Sequence, residues 1–363
     1  MASWSNFNKL KMYYESVHSV SINRIPNSQV DYNIKGNKNK LSTVLSNFLL
    51  FSGRMTYNSH REILKIIKEK KPDLVYLDSS YLGRLAKKIK QYYPSIKIIT
   101  FFHNIEFDFE INRLKSGQLY FLPSFFSGFY NERLATKYSD AILLLHQYDS
   151  NRCSKIYGRA ADYLLPISLS ETIGKKGSTP PLYFNKKKPA IGFIGTAFYA
   201  NIEAVKYIVD NIADEIPDVD FIIAGKGFEN YKNKFERNNI KIIGSIDSVS
   251  DFYQSVDLIL SPIFTGAGMK VKIAEALAYN KPIIASSFAL IGYEQVIDDS
   301  IVISCDDVDD FIKNINRTLS KIKSDTISLN PRVKFNNFYC SELLANNLKN
   351  FINGLLNENI ANK

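Results

Sequence analysis

The chain has 363 residues, which suits two α/β domains better than one hydrophobic core. Its apolar content of 45% is typical of a globular protein, and it has neither an apolar run long enough to span a membrane nor the apolar segment of a secretory signal peptide. The cysteines and histidines are dispersed without the spacing of a metal site, so free thiols in a reducing cytoplasm are expected.

The formal net charge of +10 narrows the partners that the chain is expected to bind. Its lysines occur in short groups at Lys68–Lys71, Lys87–Lys90 and Lys186–Lys188. No nucleic-acid-binding module accompanies them, so nucleic acid is not an expected partner. Two explanations of the charge stay open: an ordinary solvated surface, and contact with anionic lipid headgroups.

In the first half, predicted strands alternate with predicted helices, which is typical of βαβ units and a mostly parallel sheet. No strand and glycine turn precede the first predicted helix, at residues 5–16, so either the sequence starts late or this domain lacks a strand that is usually central. The apolar segment Asn47–Arg54 fits either core packing or an exposed apolar face. The predicted strands are Val17–Ile25, Asp73–Leu77, Ile96–Phe102, Ala141–Leu145 and Tyr163–Ile167, and the helices are His60–Lys70, Leu82–Tyr93, Ser124–Tyr138 and Gln147–Tyr157.

The second half begins after a segment without periodicity, Ser168–Lys188, which is rich in glycine, proline and lysine and is the predicted interdomain linker. We therefore predict domains at residues 1–167 and 189–331, followed by a long carboxyl-terminal helix, Arg332–Leu356, within residues 332–363. The predicted strands are Ala190–Ile194, Asp220–Ala224, Ile240–Ile243, Leu258–Leu260, Ile283–Ile284 and Val302–Ser304, and the helices are Ile202–Ile216, Tyr231–Arg237, Val249–Val256 and Val308–Lys321.

The stretch Leu258–Glu294 has the features of a nucleotide-diphosphate site. It predicts a strand, a turn at Gly266 and Gly268, a short helix and a second strand. Unpaired backbone N–H groups at the start of a helix are suited to bind phosphate, and Lys270 and Lys272 in the predicted first turn add positive charge.

Glu275 lies one turn further along the same predicted helix. Its carboxylate can accept hydrogen bonds from sugar hydroxyls, or it can form a helix salt bridge with Lys272, three residues earlier. Because a glycine turn and two lysines precede it, we predict that Glu275 contacts a sugar.

Further candidate residues follow other predicted strands. Ligands bind at the carboxyl ends of the strands in doubly wound sheets, so those loops are where binding residues are expected. In the first domain His103 follows a strand, with Asn104 and Glu106 beside it, and is a candidate for either an active-site or a structural histidine. In the second domain glycines follow several strands, as expected where the backbone approaches a ligand, at Gly195, Gly225, Gly227 and Gly244.

Together these motifs resemble the donor-binding domain of GT-B-fold retaining glycosyltransferases of the family 4 type, the glycosyl transferases group 1. The resemblance covers most of residues 189–325, and its elements occur in the family's order. HNIE, from His103 to Glu106, resembles the acceptor-domain histidine loop of the same family. The segments that carry the donor-domain resemblance are Phe193–Ala204, Phe221–Gly227, Ile242–Ser286 and Ala289–Glu294.

The resemblance implies an α/β fold with two Rossmann-like, doubly wound domains that face a central cleft, and a carboxyl-terminal helix that crosses back to the first domain. It implies that Glu275 contacts the ribose hydroxyls of a sugar nucleotide, that Lys270 and Lys272 neutralise the diphosphate, and that His103 lies near the donor sugar. The implied catalytic residues are His103, Lys270 and Glu275. The donor-binding residues are Gly195, Gly225, Gly227, Gly244, Gly266, Gly268, Lys270, Lys272 and Glu275.

Within the donor-binding domain, the sequence departs from the family pattern in two places. The first acid of the paired motif, eight residues before Glu275, is replaced by Ala267. The arginine often found after the first strand of the donor domain is absent from the loop of residues 196–199. Lys270 and Lys272 are therefore the principal cations that the sequence offers to a donor.

The predicted function is transfer of a sugar from a nucleotide-diphosphate sugar to an acceptor glycan, with retention of configuration and without a metal ion or other cofactor. The predicted setting is bacterial surface polysaccharide synthesis (O-antigen or capsule), with a lipid-linked acceptor, in the cytoplasm and peripherally on the inner face of the membrane. Two alternatives stay open: a sugar-nucleotide epimerase of the same fold, and a non-catalytic sugar-nucleotide-binding or scaffold subunit.

Overall fold

The computed structural model describes residues 2–23, 30–115, 117–171, 188–324 and 330–361. The chain divides into two compact units, one formed by Met1–Pro166 with Ala345–Lys363 and the other by Ile167–Leu344. Most of the predicted linker, residues 168–188, lies outside the described residues, as do Lys186 and Lys187.

The first unit contains a two-stranded and a four-stranded parallel sheet surrounded by helices. Its strands are β1 (Val20–Ile22), β2 (Tyr32–Ile34), β3 (Leu74–Leu77), β4 (Lys97–Phe102), β5 (Ala141–Leu144) and β6 (Tyr163–Leu164). Its helices are α1 (Ala2–Lys11), α2 (Lys40–Phe48), α3 (Tyr57–Lys70), α4 (Gly83–Tyr92), α5 (Glu106–Lys115), α6 (Leu122–Tyr138) and α7 (Gln147–Tyr157).

The four-stranded sheet of the first unit has the sequential order β3-β4-β5-β6. Its central strands β4 and β5 are almost wholly buried, which agrees with their continuous apolar sequences. The sheet has no reversal of winding, and β1 and β2 pair with each other instead of extending it. The three-residue strand β2 is not predicted from the sequence because it is too short to show a period.

The second unit is built on one six-stranded parallel sheet. Its strands are β7 (Ala190–Ile194), β8 (Asp220–Ala224), β9 (Ile240–Gly244), β10 (Leu258–Ser261), β11 (Ile283–Ala285) and β12 (Val302–Ser304). Its helices are α8 (Tyr199–Asn211), α9 (Lys232–Phe235), α10 (Val249–Ser255), α11 (Val271–Ala278), α12 (Val308–Ser324) and α13 (Pro331–Phe338), and the final helix α14 (Ser341–Ala361) starts in this unit.

The strand order in the second unit is β12-β11-β10-β7-β8-β9, and every pair is parallel. This is the doubly wound order of a Rossmann fold, in which the direction of winding reverses between β7 and β10. Leu258 of β10 pairs with Ile191 of β7 at this switch point. The predicted α/β fold with Rossmann-like domains is confirmed. Ligands of such sheets bind at the carboxyl ends of the strands, next to the reversal.

A glycine in β7 explains how closely α10 packs on this sheet. A Cβ atom at Gly192 would lie 2.7 Å from Cζ of Phe252 and 3.0 Å from Cγ1 of Val256. Phe252 is fully buried, so the glycine makes room for its ring. The sheet and α10 thereby form one tightly packed core.

The predicted long helix Arg332–Leu356 is wrong, since two helices occupy this segment, α13 and α14. The chain leaves the helical path because its backbone pairs with Leu169: the Leu169 N–H donates to the carbonyl of Tyr339 at 3.0 Å, and the Ser341 N–H donates to the carbonyl of Leu169 at 2.9 Å. Residues 345–361 of α14 belong to the first unit. Among the described residues, no helix has both the length and the apolar content needed to cross a membrane.

Candidate functional site

Two loops follow the strands on either side of the switch point. Residues 195–198 connect β7 to α8, and residues 262–270 connect β10 to α11. Both loops lead into the amino-terminal end of a helix, where backbone N–H groups and the helix dipole favour an anion. The two strands thus bring two anion-binding features to the same edge of the sheet.

Lys272 lies buried in the first turn of α11. Its ammonium donates to Oδ1 of Asn201 at 3.1 Å and lies 3.9 Å from the centroid of the Phe193 ring. Burial lowers the pKa of Lys272 to about 7, against a smaller raising effect of Glu275. The ammonium is therefore held in a mostly apolar environment where its charge is poorly compensated.

Gly195 lies directly beside this ammonium. A Cβ atom at Gly195 would be 2.5 Å from Nδ2 of Asn201 and 3.1 Å from Nζ of Lys272. An ammonium has three N–H donors, and Asn201 is the one hydrogen-bond acceptor of Lys272 in the described part of the chain. The predicted residues Gly195 and Lys272 thus come together, and their surroundings suit a phosphate oxygen.

Glu275 accepts a hydrogen bond from Tyr253, whose hydroxyl lies 3.0 Å from Oε2. Burial raises the pKa of Glu275, and the Tyr253 hydrogen bond opposes that rise. Within the described ranges, no ion pair joins Glu275 to Lys272, so the alternative of a helix salt bridge is not realised. The carboxylate keeps further acceptor capacity for a ligand hydroxyl.

Lys270 precedes α11 rather than lying in its first turn, which corrects the prediction from the sequence. The helix begins at Val271, and Lys270 has an extended backbone at the N-cap position. The cause is the glycine turn before it: Gly266 has a φ of 112° and Gly268 a φ of 67°, both outside the helical region. The Lys270 ammonium donates to the carbonyl of Gly268 at 2.7 Å.

Gly225 and Gly227, which follow β8, lie against the β7 loop, and Gly225 is hydrogen-bonded to Gly244 at the end of β9. A Cβ atom at Gly225, whose φ is 139°, would lie 1.8 Å from the carbonyl oxygen of Gly195. The Gly225 N–H donates to the carbonyl of Gly244 at 2.6 Å. The Gly227 N–H donates to Oε2 of Glu229 at 2.8 Å, and the same carboxylate lies against Gly244. The glycines therefore allow three loops to pack against one another at one edge of the sheet.

In the first unit, His103 follows β4 and contacts Asp78, which follows β3. Nε2 of His103 lies 3.0 Å from the carbonyl oxygen of Asp78 and 3.5 Å from its carboxylate oxygen Oδ1. Burial lowers the pKa of His103, but the hydrogen bonds and the charge of Asp78 raise it, with a net upward shift. His103 is thus held in place by a carboxylate that the sequence did not single out.

Glu106 lies close to His103 in the sequence, but its hydrogen bonds are made with Tyr81 and Glu132. Its carboxylate accepts from the Tyr81 hydroxyl at 3.0 Å, and its N–H donates to Oε1 of Glu132 at 2.9 Å. Glu132 also accepts from the Phe107 N–H at 3.0 Å, and burial raises its pKa to about 7. These residues hold the start of α5, which favours a structural role for Glu106.

The predicted residues of the second unit gather on the loops and helix starts at the carboxyl ends of its strands. Sequence reasoning missed Asn201, Tyr253 and Glu229, which hold Lys272, Glu275 and Gly227 respectively. Asn201 and Glu229 lie two to six residues beyond strand-end glycines, a spacing that points to the same loops. Tyr253 had no such signal, because it reaches Glu275 from a separate helix.

The family model described as glycosyl transferases group 1 matches residues 188–321. This range contains β7 to β12 and every predicted residue of the second unit. A comparison with the sequences of curated proteins gives no significant match.

Solved structures share the fold over nearly the whole chain. A glycosyltransferase from Rickettsia africae ESF-5 is 15% identical with a TM-score of 0.71, covering 100% of this chain and 95% of that one. Sucrose-phosphate synthase from Thermosynechococcus elongatus is 13% identical with a TM-score of 0.71, covering 96% and 91%. Anabaena HepE in complex with UDP-glucose is 14% identical with a TM-score of 0.62, covering 81% and 82%. These likenesses establish a GT-B fold, and residues 188–321 match the family model of the glycosyl transferases group 1.

Proposed function

We propose that the chain transfers a sugar from a nucleoside-diphosphate sugar to an acceptor glycan, and that the second unit binds the donor at the carboxyl ends of β7 and β10. The observation that carries this proposal is the buried ammonium of Lys272 beside Gly195. A buried cation without an ion-paired carboxylate is unfavourable unless a ligand compensates it. A diphosphate at this edge of the sheet would supply that compensation.

In this proposal Lys270, Lys272 and the backbone N–H groups of residues 266–269 hold the diphosphate. They act on the leaving group, because negative charge develops on the nucleoside diphosphate as the glycosidic bond breaks. The Lys270 ammonium lies beside the glycine turn that would hold the diphosphate, since it donates to the carbonyl of Gly268. Ala267 leaves this turn without the carboxylate of the family's paired motif.

The proposal assigns Glu275 to the ribose hydroxyls and Gly225, Gly227 and Gly244 to the region of the base. Glu275 suits this role because Tyr253 fixes one of its oxygens while the carboxylate retains further acceptor capacity. The positive φ angles of the three glycines favour close approach of backbone to a ligand. A UDP-sugar is the first donor to test, since the similar Anabaena HepE structure holds UDP-glucose.

His103 is proposed as the catalytic residue from the first unit, acting on the transferred sugar. Its contact with Asp78 fixes its orientation, which supports such a role. The proposed reaction retains the anomeric configuration and uses no metal ion. Both features are proposed from the family resemblance.

The proposed acceptor is a glycan on a lipid carrier, in bacterial surface polysaccharide synthesis such as O-antigen or capsule. The proposed location is the cytoplasm, with the protein peripheral on the inner face of the membrane. The net charge of +10 supports a partner with anionic headgroups.

The test is a thermal-shift screen with a panel of sugar nucleotides, followed by turnover measurements with the donor that binds. A ligand at a hundred times its Kd stabilises the native state by about 2.7 kcal/mol, so binding is readily detected. Lys270→Ala and Glu275→Ala should each abolish turnover while the fold is retained. Lys313→Ala, an exposed residue of α12, is the matched control and should keep full activity.

Two alternatives are separated by the same measurements. An epimerase of this fold would change the sugar nucleotide in the absence of any acceptor. A non-catalytic subunit, which Ala267 favours, would bind a sugar nucleotide without transferring its sugar to any acceptor offered. Full turnover by both alanine variants would refute the proposed donor site.

A further inference from the structure

Helix α2 in the first unit buries its polar side. Ser46 and Asn47 are its buried residues. The Ser46 hydroxyl donates to Oδ1 of Asn37 at 3.3 Å, and Oδ1 of Asn47 accepts from the hydroxyl of Ser127 in α6 at 3.3 Å. The face of α2 that meets the protein is therefore held by hydrogen bonds.

The opposite side of α2 is apolar and faces solvent. Leu41 is 81% exposed, Leu45 is 64% exposed and Phe48 is 68% exposed, and Val44 and Leu49 are exposed as well. We call these five residues the α2 face. Their spacing places them along one side of the helix, where a globular protein normally buries its apolar residues. A contiguous exposed apolar stripe of this kind marks an interaction surface.

The surroundings of the α2 face are strongly basic. The segment of residues 32–61 contains no aspartate or glutamate but includes Lys35, Lys38 and Lys40. Helix α4 also lacks acidic residues and carries Arg84, Lys87 and Lys88, while its Lys90 is paired with Asp140. An apolar helix face bordered by cations is typical of a helix that lies in the interface of an anionic membrane.

A surface cavity of about 450 Å³ joins the two features. Phe48 and Leu49 line it at the end of α2, and Arg84, Lys87 and Lys88 line it from α4. Arg84 also donates to the carbonyl of Leu49, which fixes the two helices beside each other. The cavity offers cations for a phosphate next to apolar side chains for an acyl chain, which are the two parts of a phospholipid.

We propose that the α2 face, with Arg84, Lys87 and Lys88, docks the protein on a membrane that contains anionic phospholipid. The docking proposal rests on the membrane location given in the proposed function and names the surface responsible for it. It does not depend on the transfer reaction. A second copy of the chain fits the surface less well, because pairing two such faces would bring their cations together. An anionic bilayer satisfies both the apolar stripe and the charge.

The test is cosedimentation of the purified full chain with vesicles, measured without donor or acceptor. Binding is expected to vesicles of phosphatidylcholine with phosphatidylglycerol and to fall sharply without the anionic lipid. Leu45→Asn with Phe48→Asn should reduce the partition coefficient by about a hundredfold, since each loses membrane burial of a large apolar side chain. Lys87→Gln with Lys88→Gln should reduce it by about tenfold or more, at roughly 1 kcal/mol for each charge.

Matched controls lie in the second unit. Ile297→Asn with Val333→Asn removes two exposed apolar side chains, and Lys232→Gln with Lys234→Gln removes two exposed charges. Both controls should bind vesicles like the unaltered protein. Equal binding to neutral and anionic vesicles, no binding to either, or a loss in the controls as large as in the α2 variants would overturn the proposal.

Two further readouts separate the possible failures. If the α2 variants bind vesicles normally but change a sedimentation-velocity dimer to a monomer, the surface joins two copies and the proposal is wrong. If a sugar nucleotide stabilises the protein but vesicles do not bind, the docking surface fails and the transferase proposal stands. If vesicles bind but no sugar nucleotide stabilises the protein, the donor site is rejected and the docking surface is supported.

Discussion

The ammonium of Lys272 donates to the side-chain oxygen of Asn201 across 3.1 Å, although the two residues lie on different helices. Asn201 belongs to α8, which follows β7, and Lys272 belongs to α11, which follows β10. Nδ2 of Asn201 donates in turn to the carbonyl of Thr196 at 2.8 Å. The two halves of the doubly wound sheet are therefore linked at their switch point by a cation and an amide.

Replacing Lys272 with methionine should weaken donor binding and at the same time raise the stability of the folded protein. The buried ammonium destabilises the folded protein, since burial lowers its pKa to about 7 from the ordinary 10.5. Methionine has a similar length and no charge, so Lys272→Met should raise Tm by a few degrees. It should also weaken sugar-nucleotide binding by about a hundredfold through loss of a charge-assisted contact.

Calorimetric titration with the donor and a thermal melt of the same variant check both effects. Lys313→Met, at an exposed position of α12, is the control and should leave both donor affinity and Tm unchanged. A variant of Lys272 that binds the donor normally would show that this ammonium does not contact the diphosphate.

Donor binding should depend on pH near neutrality. Below a pH of about 7 the free protein already carries the Lys272 proton, so affinity is full there. A bound diphosphate raises the pKa of Lys272, so at higher pH binding must take up a proton, and affinity should fall by up to about tenfold per pH unit. Titration calorimetry from pH 6.5 to pH 9, in two buffers of different ionisation enthalpy, measures the proton uptake. Lys272→Met should show no such uptake.

The ligand-free protein should show the opposite trend in stability. Between the folded pKa of about 7 and the ordinary value of 10.5, the unfolded chain binds more protons at Lys272 than the folded protein does. The free energy of unfolding therefore gains a contribution from this group as the pH rises through that window. Chemical denaturation at pH 7 and pH 9 measures the gain, and Lys272→Met should lack it.

The sequence allows the core of the donor site to be predicted because its main residues are neighbours in the chain. Gly266, Gly268, Lys270, Lys272 and Glu275 lie within ten residues, so one glycine turn and one helix bring them together. The partners that hold them are distant in sequence. Asn201 lies 71 residues from Lys272, and their contact depends on β7 and β10 being neighbours in the sheet. That strand order is a property of the tertiary fold.

Helix α2 shows a second reason why the structure cannot be predicted fully from the sequence. An apolar period predicts that one side of a helix is apolar, but not which side meets the core. In α2 the small polar residues Ser46 and Asn47 meet the protein, and the apolar residues face outwards. The segment Asn47–Arg54 is expected either to pack in the core or to form an exposed apolar face, and it does both. Phe51 is in the core, whereas Phe48 and Leu49 are exposed.

Gly225 should tolerate no side chain. Its φ of 139° is unfavourable for alanine, and the added Cβ would lie 1.8 Å from the carbonyl oxygen of Gly195. Gly225→Ala should therefore destabilise the protein by about 2 kcal/mol or more and displace the β7 loop, with loss of donor binding. Denaturant unfolding and donor titration measure the two effects. Gly354→Ala in α14 meets no neighbouring atom and should be neutral or stabilising by up to about 1 kcal/mol, so equal effects at both positions would contradict the clash.

Asp78→Asn should lower the pKa of His103. Burial alone lowers that pKa, and the hydrogen bonds and charge of Asp78 are what raise it above the ordinary 6.5. A raised histidine pKa stabilises the folded state below pH 6.5, and this stability is lost as the pH rises through the folded value. Asp78→Asn should therefore lower Tm more at pH 6 than at pH 8. NMR titration of the His103 ring measures the pKa directly, and His60, whose pKa burial lowers to about 4, is the internal control that should not move. An unchanged His103 titration would show that Asp78 does not set the charge of the proposed catalytic histidine.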